Sequence, residues 1–213
     1  MSKSNPEIIL ASGSPRRKEL LALTGWSYSI EPADVDESTI DGEAPEDYVL
    51  RLAESKALAV AATSPESAVI IAADTTVVDA GEILGKPEDE KAAWEMITRL
   101  RNHTHQVYTA VAVTRAGSGE IDKALGCTNV PMRNYSDNEV KAYIATGDPF
   151  DKAGGYAIQH NGFHPVENLT GCFANVVGLP LCHLLFMFSK LGYSPPENTP
   201  VGCQALLQYE CPV

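Results

Sequence analysis

The chain has 213 residues, 44% hydrophobic and 21% charged, a composition that predicts one globular domain or two small lobes sharing a core. Its formal charge of −12 argues against binding to duplex nucleic acid, because the phosphate backbone requires a basic surface. An anionic ligand would instead need the few lysine and arginine residues to be concentrated where it binds.

Neither a covalent framework nor a membrane span is indicated. The five cysteines are an odd number with no Cys-x-x-Cys spacing, which disfavours a disulfide framework and a zinc site. The most apolar stretch, residues 176–188, is too short and too interrupted by glycine and proline to cross a bilayer. The polar N-terminal residues do not resemble a signal peptide. We therefore expect a cytoplasmic protein without a membrane partner.

The predicted elements alternate between strands and helices. Apolar runs predict strands at residues 7–11, 68–73 and 107–114, and residues 156–159 are predicted as a further short strand. Helices are predicted at residues 15–24, 45–62, 88–100, 136–147 and 180–191. Turns are expected at 79–82 and 116–119, and the second strand is expected to stop at Asp74. This order predicts an α/β fold with a mixed sheet, followed by a loosely packed tail at 193–213.

The segment Ser12–Arg17 follows the first strand and opens the first helix. A helix N-terminus presents unpaired N–H groups to an anion, and two hydroxyls and two guanidinium groups add donors suited to phosphate. The alternative is an ordinary helix start in which Ser14 is the N-cap and the arginines are solvated. Since the chain as a whole is acidic, the basic cluster favours an anion site.

Two further charged side chains stand in apolar surroundings. Lys56 shares a helix face with Leu52, Ala53 and Val60, so its ammonium group either lies in a cleft or extends to solvent along the helix. Asp74 follows an apolar strand, where a carboxylate is well placed to act as a base or a metal ligand, although a turn-forming aspartate is also common there.

Two weaker motifs complete the set. Gly85–Pro87 places Lys86 on a rigid loop at a helix start. The segment from Asp148 to Gln159 mixes charged residues with paired glycines, which permit either close backbone approach to a ligand or a plain bend.

Taken in order, these motifs carry a family resemblance. They are Ser12–Arg17, Glu54–Ala57, Ala73–Val77, Gly85–Pro87, Asp151–Gln159 and Asn175–Pro180. Together they resemble the Maf-like nucleoside triphosphate pyrophosphatases, once described as septum-formation inhibitors, over residues 7 to 192. The resemblance implies a domain at 1–192 with two lobes around a deep cleft and a mixed sheet flanked by helices, and it leaves 193–213 as a tail.

The resemblance also implies site residues and a metal. It assigns Asp74 as the proton acceptor and places Ser12, Arg16, Lys56 and Lys86 against the phosphates. Glu37 matches an acidic residue near the metal or the attacking water, so Glu37 and Asp74 are the predicted ligands of a divalent cation, Mg²⁺ or Mn²⁺. Arg17, Thr75 and Gln159 match positions that separate subfamilies, and Lys152, in the same motif as Gln159, is a further predicted substrate-binding residue.

The implied reaction is cleavage of a nucleoside triphosphate between the α- and β-phosphates. The residues at the selecting positions resemble the branch that takes dTTP and UTP, and a glutamine amide suits the O4 and N3–H edge of uracil or thymine. Three alternatives stay open: a pyrophosphatase for 7-methyl-GTP or other modified nucleotides, a non-catalytic nucleotide-binding regulator of septum formation, and an acidic interaction module. The family resemblance suggests a homodimer.

Overall fold

The structure, a computed structural model, describes residues 6–211. Its strands are β1 (Ile8–Leu10), β2 (Tyr28–Ile30), β3 (Val69–Asp79), β4 (Glu82–Leu84), β5 (Thr104–Arg115) and β6 (Ile121–Pro131). Its α-helices are α1 (Pro15–Ala22), α2 (Pro45–Ala61), α3 (Glu90–Leu100), α4 (Asp137–Ile144), α5 (Phe173–Val177), α6 (Leu181–Lys190) and α7 (Thr199–Leu207). Two 3₁₀ turns lie at Asp148–Asp151 and Ala153–Gly155.

The strands form one mixed sheet in the order β2-β1-β3-β5-β6, with β4 added beside β3. β1 pairs in parallel with β2 and β3, whereas β3, β5 and β6 form an antiparallel ladder. The predicted α/β fold with a mixed sheet is therefore confirmed. No helix within residues 6–211 is long and apolar enough to cross a membrane.

The long strands β3 and β5 run through two lobes. In the first lobe, Ile71 packs against α1 and α6 on one face of the sheet, while Ile70 packs against α2 on the other. In the second lobe, Val77 and Val107 pack against α3 and α4. The middle of β3 lies between these cores, so polar side chains there face a cleft rather than either apolar interior.

The prediction that the second strand stops at Asp74 is wrong, because β3 continues to Asp79. Residues 75–78 are all β-branched and pair with β5 from Thr109 to Gln106, which favours extended backbone beyond the carboxylate. Asp74 consequently lies in the middle of a strand. Its position is fixed on both sides by the ladder.

One other local prediction is wrong, and several elements were not predicted. Residues 156–159 form no strand, because the chain turns at Gly154 and Gly155, which have φ of 72° and 68°. Four of the elements that were not predicted are β2, β4, β6 and α5. The strands β2 and β4 and the helix α5 are short, and β6 is only partly buried, so none of them has a distinct sequence signal. By contrast, the helix predicted from residue 136 is present as α4, and a capping box formed by Ser136 and Glu139 starts it.

The predicted loose tail is wrong for residues 193–211, which pack on the first lobe. Thr199 at the start of α7 is fully buried, and Cys203 and Leu207 contact the core. The Tyr209 hydroxyl donates to the Gly171 carbonyl at 2.8 Å, and Trp26 Nε1 donates to the Ser194 carbonyl at 3.3 Å. Residues 212–213 lie outside the described part. The division of the chain at residue 192 stays a prediction.

We expect His105 to make the protein sensitive to acid. His105 is buried on β5 and Nε2 lies 2.7 Å from the Tyr156 hydroxyl; burial lowers its pKa to about 4. Between pH 6.5 and 4, His105 is therefore protonated in the unfolded chain but neutral in the folded chain. The free energy of unfolding falls as the pH drops through this window. The loss from this group is about 2 kcal/mol between pH 7 and pH 5.

Urea unfolding at both pH values measures this loss. His105→Gln should lose about 2 kcal/mol less than the wild type over the interval, whereas His183→Gln, on the partly exposed face of α6, should behave as the wild type. Equal losses in the wild type and His105→Gln would contradict the assignment.

Candidate active site

A cleft of about 580 Å³ lies between the two lobes. All ten side chains that the sequence predicts as site residues line it: Ser12, Arg16, Arg17, Glu37, Lys56, Asp74, Thr75, Lys86, Lys152 and Gln159. They come from the loop between β1 and α1, α1 itself, the loop before α2, α2, β3, the loop after β4, the residue between the two 3₁₀ turns and the turn that follows them. The structure brings them together, and the role of each stays a prediction.

A lysine at the centre of the cleft bridges two carboxylates. Lys56 Nζ lies 2.7 Å from Asp74 Oδ1 and 2.5 Å from Glu37 Oε1. The Lys56 and Asp74 side chains are each 10% exposed, whereas that of Glu37 is 51% exposed. Lys56 therefore points into the cleft and does not extend to solvent along α2. Asp74 forms the floor of the cleft and Glu37 forms its rim.

The two carboxylates have opposite pKa shifts. Burial raises the pKa of Asp74, and the nearby charges of Lys56 and Arg17 only partly oppose this effect. Burial also opposes ionisation of Glu37, but the hydrogen bond and charge of Lys56, with further charge from Lys86, hold its pKa below the ordinary value. A raised pKa suits Asp74 to take up a proton, while Glu37 remains an anion.

The acidic loop that carries Glu37 is held by two residues of α2. The Tyr48 hydroxyl donates to the Glu37 carbonyl at 2.9 Å. Arg51 donates to the Ser38 carbonyl at 3.0 Å and forms a bidentate ion pair with Glu43. Glu37 is thus positioned although its side chain is exposed. Tyr48 also lines the cleft, and sequence reasoning did not identify it, because a tyrosine in the first turn of an amphipathic helix has no distinctive pattern.

The Ser12 hydroxyl has both of its acceptor positions used. It accepts from the Ser14 backbone N–H and from Arg17 Nη1, each at 3.3 Å. A hydroxyl has two lone pairs and one proton, so Ser12 is left to donate toward the cleft, as a phosphate oxygen requires. No side-chain cap from Ser14 is present at the start of α1, so the alternative of an ordinary serine N-cap is not what the structure shows.

Arg17 is fixed on three sides. Nε donates to the Gly178 carbonyl at 2.9 Å and Nη2 to the Thr75 hydroxyl at 3.1 Å, in addition to the bond with Ser12. Burial lowers the pKa of Arg17, although a guanidinium remains charged at neutral pH. Gly178, at φ 117°, permits this approach, since an added Cβ would lie 3.2 Å from Thr75 Oγ1 and 3.4 Å from Arg17 Nε.

The remaining predicted residues surround the mouth of the cleft. Arg16 is partly exposed, and Lys86 and Gln159 are exposed. Lys152 is buried and bonds the Asp148 side chain at 2.9 Å and the Asp151 side chain at 2.5 Å. The cleft thus concentrates basic groups in an otherwise acidic chain, as an anionic ligand requires.

The carboxylates of the site fit a cation that arrives with a ligand. Glu37 and Asp74 each bond Lys56 Nζ through one oxygen, and a carboxylate has a second oxygen that can bind a cation. Within residues 6–211, no group of three or more His, Cys, Asp or Glu side chains is arranged to hold a metal. Mg²⁺ commonly uses one or two carboxylates together with substrate phosphate oxygens, so this donor set fits a shared ion rather than one held by protein alone.

The fold and the site together define an α/β protein with a polar, basic cleft between two lobes. The solved structure of the Staphylococcus aureus Ham1 protein has the same general fold, with a TM-score of 0.50 at 15% identity, covering 88% of this chain and 100% of that chain. This likeness concerns the fold alone.

Sequence comparison gives the family. The model described as Maf-like protein matches residues 7–191. A relative from Anaeromyxobacter dehalogenans, named dTTP/UTP pyrophosphatase, is 45% identical over 92% of this chain and 99% of its own length. A relative of the same name from Geobacter sulfurreducens is 46% identical over 87% of this chain and 96% of its own length. The chain belongs to the Maf family.

Proposed function

We propose that the protein hydrolyses dTTP and UTP to the nucleoside monophosphate and pyrophosphate. The observation that carries this proposal is the single cleft in which Lys56 bridges a buried aspartate and an exposed glutamate, with Ser12 and Arg17 beside them. The names of the relatives, which are 45% and 46% identical to this chain, support the choice of substrate and the class of enzyme, a hydrolase acting on a phosphoanhydride.

The basic side chains hold the triphosphate. Ser12 donates its only free hydrogen bond to a phosphate oxygen, and Arg16, Lys56 and Lys86 supply positive charge. Charge-assisted hydrogen bonds of this kind are roughly twice as strong as neutral ones. We include Lys152, which lines the same cleft, among the substrate-binding residues.

Asp74 accepts the proton of the attacking water. The water oxygen bonds to the α-phosphorus, the bond to the bridging oxygen of the β-phosphate breaks, and pyrophosphate leaves. Burial of Asp74 raises its pKa, which improves its match to a proton transfer near neutral pH. Lys56 holds the carboxylate in place throughout.

Glu37 and Asp74 would hold the divalent cation, Mg²⁺ or Mn²⁺, together with phosphate oxygens. When bound, this ion neutralises charge that develops on the phosphates. Glu37 suits this role because its low pKa keeps it ionised and because it lies on the exposed rim.

Arg17, Thr75 and Gln159 select the nucleoside. Gln159 lies at the mouth of the cleft, and its amide offers one donor and one acceptor surface to a pyrimidine edge. We further propose a cytoplasmic homodimer that binds neither nucleic acid nor membrane.

A pyrophosphate-release assay tests the proposal. Purified protein is incubated with UTP, dTTP, 7-methyl-GTP and ITP, each with Mg²⁺ or Mn²⁺. Fastest turnover with UTP and dTTP supports the proposed substrate, whereas preference for 7-methyl-GTP or ITP would assign it to modified nucleotides. Release from no triphosphate, combined with nucleotide-dependent thermal stabilisation, would favour the regulator of septum formation. No stabilisation would favour the acidic interaction module.

Gly178→Ala should reduce both stability and activity. The residue's φ of 117° is strained for alanine, and the new Cβ would press on Thr75 and Arg17. We expect a loss of about 1–3 kcal/mol in unfolding free energy and at least about a tenfold fall in kcat/KM.

Gly147→Ala is the matched control for that substitution. Gly147 also has positive φ, 76°, but no atom lies within 4 Å of an added Cβ. Its substitution should reduce the free energy of unfolding without changing kcat/KM. Equal kinetic effects in both variants would show that backbone strain, and not contact with the site, causes the loss.

A further inference from the structure

A chain of hydrogen bonds runs beneath the cleft from Arg17 to the backbone of α5. Arg17 Nη2 donates to Thr75 Oγ1 at 3.1 Å, and Thr75 Oγ1 lies 3.0 Å from Thr109 Oγ1. Thr109 Oγ1 in turn lies 2.7 Å from the Asn175 carbonyl oxygen. Thr75 and Thr109 are directly opposite each other on β3 and β5, and Thr109 is fully buried.

The direction of every bond in this chain follows from proton counting. A carbonyl can only accept, so the single hydroxyl proton of Thr109 is donated to Asn175. The bond between the two threonines must therefore use the Thr75 proton. Thr75 then keeps only its lone pairs, of which Arg17 uses one and the other remains for the cleft. Thr75 is consequently an acceptor toward any ligand.

The far end of the chain is fixed. Asn175 is 1% exposed, and its Nδ2 donates to the Val107 carbonyl at 3.0 Å and to Thr128 Oγ1 at 3.1 Å. Gly126 packs so closely that an added Cβ would lie 2.2 Å from Asn175 Oδ1. Because the Asn175 backbone cannot easily move, its carbonyl continues to accept from Thr109 and the orientation of both hydroxyls is maintained.

We propose that Thr109 is a positioning residue that holds the Thr75 hydroxyl as a hydrogen-bond acceptor, so that this point of the cleft selects a substrate group that donates. The polarity is opposite to that of Ser12, which can only donate. Phosphate oxygens accept, so Ser12 suits the triphosphate and Thr75 suits the nucleoside. This inference rests on the proposed function and deepens it.

Two parts of a pyrimidine nucleotide can donate to Thr75: the N3–H of the base and a hydroxyl of the sugar. Two analogues distinguish them, because the triphosphate of the pyrimidin-2-one ribonucleoside has an N3 acceptor and no donor on its base, without added bulk, and 2′,3′-dideoxy-UTP lacks the sugar donors. In the wild type, the analogue that lacks the relevant donor should have kcat/KM at least about tenfold below that of UTP, since the Thr75 acceptor is left unpaired.

Thr109→Val tests the positioning role, with Thr109→Ser as the matched control. Valine keeps the shape but releases the Thr75 proton, so Thr75 can donate as well as accept. The penalty for the analogue should shrink to about threefold or less, through KM rather than kcat. Serine retains the hydroxyl and should keep the wild-type penalty. Thermal unfolding checks each variant, and Thr109→Ala replaces the valine variant if that protein does not fold.

Two results would overturn the inference: an unchanged penalty in the Thr109→Val protein, or a wild type that penalises neither analogue. Failure of the proposed function has a different signature, namely no pyrophosphate release from UTP by the wild type. In that case the same nucleotides and variants are compared by their Kd values from calorimetry, and the expected ratios are the same.

Discussion

Asp74→Asn should lower kcat by at least about 10²-fold while leaving the fold intact, because general-base help is typically worth 10²–10⁴-fold. Asparagine keeps the shape of the side chain and can still accept a hydrogen bond from Lys56, which now reaches Asp74 at 2.7 Å. It cannot take a proton from water. Pyrophosphate release measures the effect, and thermal unfolding checks the fold.

The pH profile gives a second readout of the same substitution. The base works when ionised, so kcat/KM of the wild type should rise with pH through the Asp74 pKa. Burial raises that pKa, which places the rise above the range of an ordinary aspartate. The Asp74→Asn protein should lack this rise.

Asp79→Asn is the matched control. Asp79 ends the same strand but lies outside the cleft, where it binds Arg99 at 2.6 Å and His103 at 2.5 Å. This variant should lose stability and keep kcat. Turnover near the wild-type value in the Asp74→Asn protein would remove Asp74 from the role of base.

Lys56→Met should affect both activity and stability. Methionine has a similar length and no charge, so the triphosphate loses a charge-assisted bond and Asp74 loses its nearest cation. Lys56 lowers the pKa of Asp74, so its removal should shift the rise of kcat/KM to higher pH. We expect kcat/KM to fall by about 10²-fold near neutral pH.

The size of the stability loss in the Lys56→Met protein depends on pH. Removing one partner of a buried ion pair costs about 3 kcal/mol or more where the other remains charged. Without Lys56 the pKa of Asp74 in the folded chain lies further above its unfolded value, so the destabilisation grows as the pH rises from the unfolded pKa to the folded one and is absent below both. The loss should therefore diminish as the pH falls. Urea unfolding at several pH values measures this dependence.

Lys123→Met is the control. Lys123 lies on β6, outside the cleft, and its ammonium group pairs at 2.6 Å with Glu54, which is on α2 as Lys56 is. Exposed pairs contribute about 1 kcal/mol or less, so stability should change little and kcat/KM should not change. A Lys56→Met protein with wild-type kcat/KM would contradict the central role given to Lys56.

Much of the fold could be predicted because its signals are local. Pro15 and Pro45 stand at the first positions of α1 and α2, and the Ser136–Glu139 capping box starts α4. Nine of the ten proposed site residues lie in motifs that occur in a fixed order, and Glu37 was assigned through the family resemblance. Individually, Lys86 and Lys152 had no signal strong enough to separate them from ordinary surface lysines.

The missed features depend on partners that are distant in the chain. β3 continues past Asp74 because β5 pairs with it. The tail packs because Trp26 Nε1 donates to the Ser194 carbonyl and the Thr24 carbonyl accepts from the Glu197 N–H. Thr109 bonds residues 34 and 66 positions away, so no local pattern identifies it. Such pairings become visible only when the register of the sheet is known.

The sequence by itself determined the presence of five of the helices and of β1, β3 and β5, together with the residue types that line the cleft, because helix caps, apolar periodicity and ordered motifs act over a few residues. Only the tertiary structure decided their chemistry. The raised pKa of Asp74 comes from burial between two lobes, and the acceptor role of Thr75 comes from a carbonyl of α5 reached through Thr109. Burial and hydrogen-bond direction are properties of neighbours in space, and the chain assembles those neighbours only when it folds.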